Sequence, residues 1–164
     1  MLDAVRRFSA ILAMGQMEAQ GAALRALLRE KNPWLIEAGL QESRRFQLAQ
    51  PSDLDALLTL LENPRPDFRG GALDLVLQIL RESGAEIAME AGRLPAFQAV
   101  AARARMDDQP TVRARAVAAL EAFNDMAALS LLESVGTSDP SQQVRYEALV
   151  AARRLRERIS PAEH

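Results

Sequence analysis

The chain has 164 residues, 49% of them apolar, 26% charged and only 4% aromatic, with a formal net charge of −2. Cysteine is absent, which excludes disulfides, thiolate metal sites and a cysteine nucleophile, and the single histidine is the last residue, His164. The near-neutral balance gives no global field toward nucleic acid or an acidic membrane surface.

Ala and Leu dominate and there are few period-two β-branched runs, so the expected elements are helices. The opening MLDAVRRFSAILAMGQ places Leu2, Val5, Phe8 or Ser9 and Leu12 at helical spacing. Its apolar run is short, Asp3 interrupts the basic region and no A-x-A site follows, so it reads as an amphipathic leading helix over 1–15 rather than a signal peptide. Helices are then predicted over 17–30, 33–48, 52–62, 66–82, 95–105, 109–123, 125–135 and 141–158. The stretch SGAEIAMEAGRLPAF (83–97) fits a further short helix near 85–91, broken by Gly92 and restarted at Pro95. Gly15, Gly84, Gly92 and Gly136 fall where helices should stop, as glycines do in C-terminal caps. No apolar run is long enough to span a bilayer.

Half of these helices follow one pattern. Taking Leu35, Phe68, Val112 and Val144 as anchors, each has a small residue four positions on: Gly39, Ala72, Ala116 and Ala148. Five positions before them stand Glu30, Asn63, Asp107 and Asp139, followed by Pro33, Pro66, Pro110 and Pro140. An acidic or amide side chain can cap free N–H groups, and proline suits a first helical position, so each copy reads as a tight turn that launches a helix. With the helix before it, each launched helix makes a pair that cannot cover its own apolar face, which is why the unit must repeat. The expected organisation is a single domain over 1–164, with repeats at about 16–49, 50–83, 84–124 and 125–159 after the leading helix.

Pro-x-Val-Arg-x-x-Ala-Val (110–117) and Gln-Val-Arg-x-x-Ala-Leu (143–149) resemble the second helix of HEAT repeats, and AEIAMEAGRLPAF is similar to the armadillo version. The resemblance covers nearly the whole chain. It implies an all-α, right-handed α-solenoid, a HEAT/armadillo-like superhelix of about four repeats. It also implies that Arg69, Arg113 and Arg145 form a ladder with Asp107 and Asp139. The first copy departs from the pattern, with Ile36 where arginine is expected.

In such solenoids the outward side of the launched helices lines the concave face, the default binding surface. Two, six and nine residues after each anchor stand Glu37, Gln41 and Arg44; Gly70, Asp74 and Leu77; Ala114, Ala118 and Glu121; Tyr146, Val150 and Arg153. Trp34 and Leu48 lie on the same side, and Trp34 and Tyr146 are the only Trp and Tyr. The candidate partner-binding residues are Trp34, Glu37, Gln41, Arg44, Asp74, Leu77, Glu121, Tyr146 and Arg153.

No catalytic motif is present. Gly70-Gly71 fall inside a predicted helix, where close packing explains them better than a phosphate loop. Asp53 and Asp55, like Asp107 and Asp108, sit at helix starts, where carboxylates cap. The expectation is a non-catalytic, cytoplasmic protein–protein interaction scaffold or adaptor, with a protein or peptide partner and neither cofactor nor metal. The alternative is a nucleic-acid-binding or DNA-repair module using the last helix, with Arg145, Arg153, Arg154, Arg156 and Arg158. A third reading is a structural role in which the open ends mediate self-assembly.

Overall fold

The structure is a computed structural model that describes Arg6 and residues 17–82 and 93–160. The predicted leading helix, apart from Arg6, and the helix predicted near 85–91 lie outside the described residues. Among the described residues every regular element is helical. In chain order these are α1 (Met17–Leu28), α2 (Pro33–Phe46), a 3-10 turn (Pro51–Asp53), α3 (Leu54–Leu61), α4 (Pro66–Glu82), α5 (Arg93–Met106), α6 (Pro110–Ala122), α7 (Met126–Ser138) and α8 (Gln142–Ile159). No helix of the described residues is long and apolar enough to cross a membrane.

The chain forms two compact units, Met1–Ile79 and Leu80–His164. In the first, α1 packs on α2 and α3. Helix α2 also meets α4: a Cβ built on Gly71 would lie 3.0 Å from Leu40 Cδ1. In the second unit, α5 packs on α6, α7 on α8, and the launched helices α6 and α8 pack on each other. Both units therefore have the same layering, with launched helices side by side and their leading partners behind them.

The anchors point inward, as the spacing predicts. Leu35, Phe68, Val112 and Val144 are buried, and so are the small residues one turn later. Small size matters at these positions because neighbouring helices approach closely: a Cβ on Gly39 would lie 3.1 Å from Leu27 Cβ. On α6 the whole stripe Val112, Ala116, Ala119, Leu120 and Phe123 is buried, and Phe97 meets the Phe123 ring edge-on at 5.2 Å. Each large apolar side chain so buried contributes about 1.5–3 kcal/mol.

The turns that launch α4, α6 and α8 share one set of hydrogen bonds. The side-chain oxygen of Asn63, Asp107 or Asp139 accepts from the N–H two residues on, that of Arg65, Gln109 or Ser141, at 3.0, 3.0 and 2.7 Å. The backbone oxygen of the same residue accepts from Nη1 of the arginine six residues on: Arg69 at 3.0 Å, Arg113 at 2.8 Å and Arg145 at 2.7 Å. The repeated Asx and Arg thus close the turn from both sides, satisfying backbone groups that a tight connection would strand. The first copy lacks the arginine. There Asn32 Oδ1 accepts from Trp34 N at 3.0 Å and caps α2 directly.

Two expectations are corrected. Gly136 does not cap a helix end: α7 continues through it to Ser138, and the glycine is buried because a Cβ there would lie 2.7 Å from Cγ and Cδ2 of Leu149. Gly70, placed by spacing on the outward side of α4, is buried. Of the acidic residues at the helix starts, Asp53 accepts from Gln50 N at 3.0 Å, in the capping box of the 3-10 turn, and Asp107 accepts from Gln109 N, whereas Asp108 accepts from the Gln109 side chain instead.

Candidate functional site

Of the expected ladder, one rung is defined in full. Arg113 donates from Nε to Asp139 Oδ2 at 2.7 Å and from Nη2 to Oδ1 at 3.0 Å, a two-pronged pair between two buried side chains. Burial alone pushes the Asp139 carboxyl up. The Arg113 guanidinium, the Ser141 N–H and the charge of Arg145 outweigh that and hold it below its ordinary value. The bond to Asp139 in turn raises Arg113 above its usual range. Arg113 is therefore a structural member, not part of a binding stripe.

The candidate residues fall into two groups. In the first unit, Trp34 is 69% exposed at the start of α2. Gln41 Nε2 donates to Glu37 at 3.3 Å, and Arg44 pairs with Asp74 at 2.9 Å, joining α2 to α4. Leu77 is half-buried on α4, as is Leu48 beyond α2. Glu37 also faces Arg65 closely enough to help raise its pKa, although the main cause is the hydrogen bond from Arg65 to Asp67. This is a charged, largely self-satisfied surface.

In the second unit, α6 and α8 enclose an open groove of about 260 Å3 lined by Ala114, Val117, Ala118, Tyr146, Val150 and Ala151, with Glu121, Glu147 and Arg154 also along it. Its lining is mostly small and apolar because Ala114, Ala118 and Val150 sit on the outward faces of the two helices while Val117 and Ala151 come from the seam. Tyr146, 69% exposed, stands along it. Arg154 lines the groove; Arg153, the expected residue, is exposed but is not among the lining residues. A neighbouring notch of about 240 Å3 shares Ala118 and Glu121 and includes Arg81, Asn124 and Arg158.

Sequence reasoning placed Ala114, Ala118 and Val150 on this face but did not select them. Their signal was negative: three positions where the outward face of a helix carries no charge. It missed Glu147 and Arg154, whose spacing alone does not show that they border a groove.

The arginines of α8 are largely engaged. Arg145 donates to the Asp139 and Pro140 carbonyls. Arg156 pairs with Glu133, and Arg158 pairs with Glu121 at 3.0 Å while donating to the Glu121 carbonyl. Among the described residues there is no cluster of three or more His, Asp or Glu side chains arranged to hold a metal ion. In comparison with known proteins, no family model and no curated protein matches the chain.

Proposed function

We propose that this chain is a HEAT/armadillo-like α-solenoid of about four repeats that acts as a non-catalytic scaffold, holding a protein or peptide partner along the outward side of its launched helices. The observation that carries this reading is the exposed Tyr146 ring beside the alanine-lined groove between α6 and α8. A tyrosine held on a rigid helix offers large contact area at low entropic cost, and buried interface anchors are enriched in this residue. The small side chains along the groove leave room for a partner's apolar side chains, while Glu147 and Arg154 supply polar selectivity at its edge. Trp34 is the corresponding anchor of the first unit.

Support for the repeat family is the recurrence of the Asx–Arg turn at three of four copies, together with the same two-layer packing in both units. The nucleic-acid reading is weaker. Three of the five α8 arginines already hold internal acceptors, and the groove lining carries two glutamates to one arginine.

Affinity capture from the native cell, comparing the unaltered chain with Ala118→Arg and Tyr146→Ala, tests the proposal. A specific partner should be lost when Ala118→Arg blocks the groove, and Tyr146→Ala should weaken it by about 2 kcal/mol. Equal retention by all three removes the groove from consideration. Tight heparin retention that falls steeply with salt supports the nucleic-acid alternative instead.

A further inference from the structure

The four copies carry corresponding residues around their anchors, and in the last copy one of these positions is left open. Five positions after each anchor stand Leu40, Leu73, Val117 and Leu149. The first three are buried, at 4%, 0% and 2% exposure, but Leu149 is 50% exposed. The partner of this position is visible in the first unit, where Leu40 presses against Gly71, three positions after the next anchor. The arginine one position after the anchor tells the same story. Arg113 uses Nη1 for the carbonyl of its own turn and Nε and Nη2 for the Asp139 carboxylate of the next turn. Arg145 uses Nη1 in the same way, and among the described residues no carboxylate meets its other two donor nitrogens.

A surface that covers Leu149 as Gly71 covers Leu40 offers a small residue, and one that pairs Arg145 as Asp139 pairs Arg113 offers a carboxylate. The first copy of the same chain offers both. Ala38 stands three positions after its anchor and is only half-buried. Glu30 stands in the turn position, exposed, and among the described residues its carboxylate has no ion-pair partner. It is also the only turn carboxylate whose own copy carries isoleucine, Ile36, in place of the arginine.

We propose that a second copy of this chain docks head-to-tail, its first repeat covering α8, with Leu149 against Ala38 and Arg145 paired to Glu30 of the next copy. The contact uses two different surfaces, so it does not close on itself as a two-fold dimer does: the same step repeats until a ring closes or, where none can close, continues. The proposal is independent of the groove between α6 and α8.

Sedimentation velocity of the full chain over a concentration series is the test. The expected result is a weight-average mass that rises with concentration beyond that of a dimer. Glu30→Arg and Arg145→Glu should each weaken association by roughly tenfold or more, through like-charge contact. Mixing the two variants in equal amounts should restore it, since every contact then joins opposite charges. Glu30→Arg changes an exposed side chain, so it reports on association even if Arg145→Glu loosens the turn it closes. The proposal is overturned by a monomer at every concentration, by a closed dimer indifferent to Glu30→Arg, or by a mixture that fails to recover.

Discussion

The turns that launch α4 and α8 are built from the same hydrogen bonds and differ in one charge. Asn63 and Asp139 each accept from the N–H two residues on, and each carbonyl receives the arginine six residues on. Pro64 and Pro140 add their carbonyls to the same guanidinium nitrogens, at 3.1 and 3.2 Å. The turn therefore needs a side-chain oxygen, not a carboxylate. The negative charge of Asp139 answers a different need: it neutralises Arg113, which is buried and arrives from the preceding repeat. Turn closure and inter-repeat pairing are separable functions of one position.

The largest expected effect breaks the second function. Asp139→Ala strands the buried Arg113 charge and should destabilise the protein by about 3–5 kcal/mol in urea or thermal unfolding. In an Arg113→Met background the same change should cost much less, because no charge is then left uncompensated. A pH titration sharpens the point. Asp139 titrates lower in the folded chain than its ordinary unfolded value of about 3.9, so its contribution is fully present above that unfolded value and is lost as pH falls through the lower folded one. Stability measured from roughly pH 5 down to pH 2 should fall more steeply for the unaltered chain than for Asp139→Asn. At the other turn, Asn63→Ala removes only the local acceptor and should cost about 1 kcal/mol, with Asn63→Asp close to neutral. The smallest effects belong to exposed pairs. Arg44→Ala, which removes the pair with Asp74, and Arg156→Ala, which removes the pair with Glu133, should each cost about 0.2–1 kcal/mol and become undetectable in high salt. A result above that range for Arg44→Ala would show that the α2–α4 surface is held by charge and not by the Leu40–Gly71 contact.

The helix positions were legible because proline and the Asx residues punctuate them. The predicted starts at 33 and 66 coincide with the observed ones, and those at 109 and 141 precede them by one residue. The inward face was legible for the same periodic reason. Gly136 was misread because a glycine near the end of an apolar run resembles a stop, and only the structure shows Leu149 lying against it. The groove was half legible: spacing put Tyr146 and Ala118 outward, but whether two helices leave a gap depends on side chains from both. The pairs Arg44–Asp74 and Glu121–Arg158 were beyond reach. They join residues 30 and 37 positions apart, and nothing local selects one exposed carboxylate over another. What the chain binds was least legible, because a scaffold's specificity resides in a few exposed side chains that the fold does not constrain.

The Arg113–Asp139 rung spans 26 residues and fastens the connection before α8 to the first turn of α6. Releasing the final hairpin parts a guanidinium and a carboxylate that are buried against each other and leaves both to be hydrated. Fraying from this end is thereby coupled to loosening of α6, so amide protons in the first turns of both helices should exchange with solvent at matched rates, as members of a single cooperative opening.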